Sequence, residues 1–196
     1  QPANNAKLNS LAQLNGTADD YAPTDGNPSN DRVTYISSTS LAATPFDGVL
    51  IAIKGNTTNY WNGTNWGDTS PYWYTVLYDS ATKQWSKLTS VLGTFTGAGQ
   101  PADGTYLIIP RAIDNSRNFE VSYNTCTFTW DTTAPASVAN YPSSGTAVVS
   151  ITQITGTAND ATSGIDTITI RLIRGADNYY WTGSSWSSIA SDYLSV

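Results

Sequence analysis

The chain repeats itself, and no other feature limits its fold as much. Gln13-Leu14-Asn15-Gly16-Thr17-Ala18-Asp19-Asp20 is matched by Gln153-Ile154-Thr155-Gly156-Thr157-Ala158-Asn159-Asp160 at an offset of 140, which also sets Pro2 on Pro142. Further along, Lys54-Gly55 and Tyr60-Trp61-Asn62-Gly63-Thr64-Asn65-Trp66 are matched by Arg174-Gly175 and Tyr180-Trp181-Thr182-Gly183-Ser184-Ser185-Trp186 at an offset of 120. The first copy therefore carries 20 extra residues between these landmarks. They fall at about 21–46, a stretch with the Pro, Gly, Asn and Ser density of a long loop. A repeat this long means successive domains with their own cores, not a solenoid of short units. We expect one domain over 1–130, a linker over 131–135 and a second repeat over 136–196. The second stops after the aromatic hairpin, so Tyr72 to Trp130 has no counterpart in it. A half-built sheet protein exposes its core and an open edge. It is expected either to belong to a longer array or to take its missing strands from another molecule.

An apolar share of 39% supports two small cores, and only 12% of residues are charged. Thr, Ser, Asn, Gly and aromatic residues fill much of the rest, the usage of sheets joined by polar turns. Val49–Ile53, Tyr72–Tyr78, Thr105–Ile109 and Ile168–Ile173 read as half-buried strands. In Phe119–Trp130 the large residues move from odd to even positions near Asn124, which predicts a bulge or a sheet crossing. Short strands between Asn-Gly, Asp-Gly and Ser-Gly turns predict an all-β chain of Greek-key β-sandwiches.

The net charge is -6, and four Lys and five Arg lie scattered, so neither nucleic acid nor anionic lipid is an expected partner. No apolar run reaches the roughly 18 residues of a membrane span, so no membrane insertion is expected in this segment. The chain opens without a charged-then-apolar leader and is read as a mature or excised piece. Catalysis is not expected. There is no histidine, the lone Cys126 lacks an imidazole partner and reads as core, and only an aspartate pair is left for hydrolytic work.

Several motifs together resemble a known family. They are Gly156-Thr157-Ala158-x-Asp160-x-x-Ser163-Gly164-Ile165, the Tyr-Trp-x-Gly-x-x-Trp hairpin, Asp103-Gly104-Thr105-Tyr106, Arg111-Ala112-Ile113-Asp114-Asn115, and Thr127-Phe128-Thr129-Trp130-Asp131-Thr132-Thr133-Ala134-Pro135. They resemble the bacterial Ig-like (BIg-type) tandem repeats of large cell-surface adhesins. The resemblance covers the chain apart from the 21–46 insertion. It implies tandem immunoglobulin-like sandwiches, the second incomplete here, in an extracellular protein that is secreted or held on the bacterial surface. In that family Asp-Thr-Thr-Ala-Pro joins one domain's last strand to the next domain's first. The family usually has a Gly after its Ala-Asp loop where this chain has Ser116-Arg117-Asn118, a departure inside that loop.

Fourteen Asp against the single Glu120 suit turns and calcium loops. In an Ig-like sandwich the B–C and F–G loops share one end, which would bring Asp19, Asp20 and Asp114 together there. Asp131 would enter the second copy near its Asp160. The resemblance implies that such linker aspartates hold calcium and stiffen the joint; the competing reading is loop caps and Asx turns.

The aromatic run around Tyr72, Trp73 and Tyr74 is the candidate ligand surface, with surface glycans as its partner, since at least one of three consecutive rings must face outward. The recurring Trp61/Trp66 and Trp181/Trp186 read instead as cross-strand pairs that hold a hairpin. The functional expectation is an extracellular structural and adhesive spacer that contacts neighbouring repeats of the same protein. The rivals are a carbohydrate-binding module of an exported enzyme and a surface-fibre subunit that exchanges strands with other copies.

Overall fold

The computed structural model describes residues 2–18, 48–55, 59–79, 82–95, 101–113, 119–122, 124–189 and 194–195. The 21–46 insertion therefore lies outside the described residues. The chain is nearly all β and divides into two units, Gln1–Thr132 and Thr133–Val196. Among the described residues no helix is long and apolar enough to cross a membrane.

In unit 1 the strands are β1 (Ala6–Leu8), β2 (Gln13–Thr17), β3 (Gly48–Lys54), β4 (Tyr74–Thr75), β5 (Leu77–Asp79), β6 (Gln84–Leu88), β7 (Gly104–Ile113) and β8 (Cys126–Trp130), with a one-turn helix α1 (Thr89–Leu92) after β6. They form a five-stranded sheet in the order β1-β8-β7-β3-β4 and a three-stranded sheet in the order β2-β6-β5. The described ladders are antiparallel except one: β1 runs parallel to β8, with Ala6 beside Phe128 and Leu8 beside Trp130.

Period-two alternation puts Tyr106 and Ile108 of β7, and Phe128 and Trp130 of β8, on one face of the larger sheet. There they meet Leu14, Tyr78 and Trp85 from the smaller sheet in a shared core. Burial of each such side chain contributes about 1.5–3 kcal/mol. Strand β3 departs from the half-buried expectation: Leu50 and Ala52 are buried as well as Val49, Ile51 and Ile53. Its unbroken Val-Leu-Ile-Ala-Ile run is the composition of a strand covered on both faces.

Three further expectations are corrected. Tyr72–Tyr78 is not one strand: β4 joins the larger sheet and β5 the smaller, and the chain crosses between them at Val76, whose amide donates to the Val49 carbonyl at 3.3 Å. The parity change in Phe119–Trp130 comes from a break, because Phe119 makes a single bridge to Ile113 and β8 begins only at Cys126. Ile168–Ile173 is also divided, as described for unit 2 below.

The connection from β6 to β7 is tied down from within. The Thr89 hydroxyl donates to the carbonyls of Leu11 (2.6 Å) and Ala12 (3.0 Å), and the Trp61 indole N–H donates to the Leu92 carbonyl at 2.8 Å. Gly93 ends the turn at φ +67°. A side chain would be strained there. Phe95 follows, and its ring lies 5.2–6.0 Å from those of Trp66, Tyr106, Phe128 and Trp130.

Near the start of β7 the Tyr106 hydroxyl donates to the Ala102 carbonyl at 2.6 Å. Burial, with the nearby Asp103 carboxylate adding to it, pushes this phenol up to about 12. An unfolded tyrosine titrates near 10. Above that pH the unfolded chain therefore loses a proton that the folded chain keeps, and stability falls. Stability is expected to be level below pH 10 on this account, to decline between pH 10 and 12, and to decline less steeply in Tyr106→Phe. Urea midpoints for both proteins at pH 9 and pH 11.5 check it, and equal slopes would contradict it.

Unit 2 contains β9 (Ala136–Tyr141), β10 (Thr155–Asn159), β11 (Thr169–Ile170), β12 (Ile173–Arg174), β13 (Tyr179–Trp181), β14 (Trp186–Ser187) and β15 (Leu194–Ser195). They make three small sheets, β9 with β10, β11 with β15, and β12-β13-β14. Ile168–Ile173 thus contributes to two of these sheets through β11 and β12. None of the described residues of unit 2 is buried. The pairing of β11 with β15 parallels that of β3 with β4, shifted by one residue. The correspondence with unit 1 thus runs beyond the aromatic hairpin, further than the sequence reading placed it.

Candidate functional site

Two local constructions stand out, and both involve the ends of strands. The first is the parallel contact of β1 with β8. Its ladder is lengthened at one end by the Asn5 amide donating to the Thr127 carbonyl (2.6 Å), the Thr127 amide donating to Asn4 Oδ1 (2.9 Å) and the Cys126 thiol donating to the Pro2 carbonyl (3.2 Å). At the other end the Asp131 amide donates to the Leu8 carbonyl at 2.9 Å. Beyond it, Asp103 Oδ1 accepts from both the amide (2.7 Å) and the hydroxyl (3.0 Å) of Thr132, which fastens the exit from unit 1. Because the strands are parallel, the chain enters at one end of the ladder and leaves at the other. Tension along the chain therefore strains these bonds together in shear, whereas a hairpin pulled at its open end opens one pair at a time.

The second construction is the aromatic hairpin, which recurs with its turn intact. In unit 1 the Asn62 amide donates to the Asn65 carbonyl at 3.1 Å, and Asn62 Oδ1 accepts from the amides of Thr64 and Asn65. In unit 2 the Thr182 amide donates to the Ser185 carbonyl at 2.9 Å, and the Thr182 hydroxyl accepts from the amides of Ser184 and Ser185. Gly63 and Gly183 have φ +96° and +97°. Each turn therefore requires its glycine. The Trp61 and Trp66 rings lie 5.2 Å apart, and those of Trp181 and Trp186 5.5 Å apart.

The three candidate ligand rings do not form one platform. Tyr72 is 47% exposed and its ring lies 4.9 Å from that of Tyr74. Tyr74 is half-buried against the core, its hydroxyl donates to the Trp61 carbonyl at 3.1 Å, and burial, with Tyr72 and Asp68 adding to it, pushes its phenol well up. The register sets Trp73 on the other side of the sheet, beside Arg111. The Arg111 guanidinium lies 5.5 Å from the Trp73 ring centre and 3.7 Å from that of Phe119. Both are stacks of the cation–π kind.

Of the candidate calcium ligands, Asp19, Asp20 and Asp114 lie outside the described residues. Asp131 is buried at the end of the β1–β8 ladder in unit 1. Asp160 belongs to unit 2, where its Oδ1 accepts from the amides of Thr162, Ser163 and Gly164 and so caps its own loop. These bonds, that from Ser163 foremost, hold its carboxyl below the usual range. Among the described residues no three His, Cys, Asp or Glu side chains gather as a metal cluster.

Sequence reasoning missed the β1–β8 contact and the central place of Phe95. Neither leaves a local signal: Ala-Lys-Leu is too short to show alternation, and Phe95 sits alone among Gly and Thr. No family model, no curated protein and no solved structure matches this chain.

Proposed function

We propose that the chain is an extracellular tandem module of immunoglobulin-like Greek-key sandwiches, a structural and adhesive spacer of a bacterial surface protein. The order of unit 1 supports the sandwich reading: β2, β6 and β5 stand where strands B, E and D would, and β8, β7 and β3 where G, F and C would. The hydrogen bond from Tyr106 back to Ala102 is the counterpart of the tyrosine corner of that architecture. The observation that carries the spacer reading is the parallel β1–β8 ladder, which lies in the force path between the two ends of unit 1. A spacer must keep its length under tension, and a ladder sheared as a whole resists extension more than one that is peeled. Calcium belongs to this proposal as the ion that Asp19, Asp20, Asp114, Asp131 and Asp160 would hold at loop ends, where it would neutralise carboxylates and stiffen the segments that carry them.

Stretching the full chain by its two ends tests the proposal. One high-force event is expected, releasing the chain between Leu8 and Cys126, about 40 nm at 3.3–3.6 Å per residue. Unit 2 is expected to extend without a comparable event. A featureless extension of unit 1 would refute the spacer role.

A further inference from the structure

The larger sheet of unit 1 carries a cation on the face turned away from the core. Arg111 of β7 stands opposite Leu50 of β3, and Leu50 opposite Thr75 of β4, while Ile51, next along β3, points into the core. Continuing that register sets Trp73 beside Ala52 on the outer face. Trp73 and Arg111 therefore meet across β3, above Leu50 and Ala52, which are buried. The guanidinium also lies 3.7 Å from the Phe119 ring centre. Phe119 is 38% exposed and Trp73 and Arg111 are half-buried, so the group reaches solvent. What Arg111 lacks is an acceptor. Its Nε is buried without a hydrogen bond, and among the described residues no carboxylate pairs with it. Glu120, which follows Phe119, gives its Oε2 to the Ala112 amide instead, at 3.0 Å. Ring faces hold a guanidinium in place but accept none of its N–H groups in its own plane, and a partly desolvated charge without a counter-ion gains when one arrives.

We propose that Arg111, Trp73 and Phe119 bind a sugar that carries a carboxylate, such as a hexuronic acid, with the carboxylate on the guanidinium and the C–H face of the sugar ring on the aromatic side chains. The proposal rests on the adhesive reading, to which it gives a class of ligand. An arginine fork suits a planar pair of oxygens. A single guanidinium in a chain of net charge -6 suits a ligand with one acid group, not a polyanion. The carboxylate of an acidic peptide could meet the same fork, but it hangs on a flexible stem and brings no rigid C–H face for the two rings.

Titrating the full chain with methyl glucuronide and with methyl glucoside isolates the carboxylate, because the two sugars differ only there. The resonances of the Trp73 indole N–H and the Arg111 Nε–H report binding. The glucuronide is expected to move both and to bind at least about tenfold more tightly than the glucoside. Arg111→Lys keeps the charge and loses the fork, and should weaken the glucuronide by a similar factor; Trp73→Ala should weaken both sugars. Hydrogen-exchange protection of the β3 and β7 amides shows whether each variant keeps its sheet, and where one does not, the parent titrations decide alone. Equal binding of the two sugars, or no movement of either resonance, would overturn the proposal. So would an acetylated, amidated glutamate that binds as tightly as the glucuronide, since the sugar ring would then contribute nothing. A negative titration leaves the pulling result untouched, and a featureless extension of unit 1 would sink the spacer reading while leaving sugar binding in place.

Discussion

Phe95→Ala is expected to destabilise unit 1 by about 3–5 kcal/mol, the range for removing an enclosed aromatic ring. The ring lies against four others. Such pairs add about 0.5–1.5 kcal/mol beyond burial alone. In a domain of this size the melting temperature should fall by on the order of 10–20 °C. Phe95 also has φ +59°. That conformation is disfavoured for any residue with a Cβ by about 1–2 kcal/mol. Phe95→Gly removes the ring and that strain together, against roughly 0.5–1 kcal/mol for the greater freedom of glycine in the unfolded chain. The glycine variant should therefore retain more stability than the alanine variant, by up to about 1 kcal/mol. Urea unfolding of both variants decides the point. An alanine variant within about 1 kcal/mol of the parent would mean that Phe95 is not the centre of the core.

The same residue shows where sequence reasoning stops. The strands that can be read ahead, β3 and β7, are long and rich in Ile, Val and Leu, and their composition alone calls for sheet. The aromatic hairpin is legible because it occurs twice and its Asn-Gly and Thr-Gly turns demand a positive φ at glycine. Val76 carries no such signal. A strand that leaves one sheet for the other keeps its alternation, so Tyr72–Tyr78 looks continuous while its two halves lie in different sheets. Trp73 stands out in the sequence because three rings in a row cannot all face one core. That Arg111, distant along the chain, stands against this ring on the neighbouring part of the sheet is visible only in the fold.

The carboxylates are the least legible part. An aspartate that caps its own loop and one that binds a cation look alike in sequence, since both need a short oxygen donor near a turn. Asp160 illustrates the first use, with three backbone amides converging on one oxygen. Asp103 illustrates a third, holding the amide and hydroxyl of Thr132 where the chain leaves unit 1. The β1–β8 contact is hidden for a different reason. Its partners are separated by almost the whole of unit 1, and nothing in Ala6-Lys7-Leu8 specifies a parallel neighbour.

The direction dependence of the unfolding force tests the mechanical claim most directly. In the full chain with Cys126→Ala, cysteine handles at Ala3 and Ala134 load β1 against β8 in shear. Handles at Ala102 and Ala134 instead peel β8 from β7, beginning at the Gly104–Trp130 pair. The parallel ladder requires a markedly higher rupture force for the first geometry than for the second. Equal forces in the two directions would show that the first and last strands of unit 1 do not carry its resistance, and the spacer account would fall.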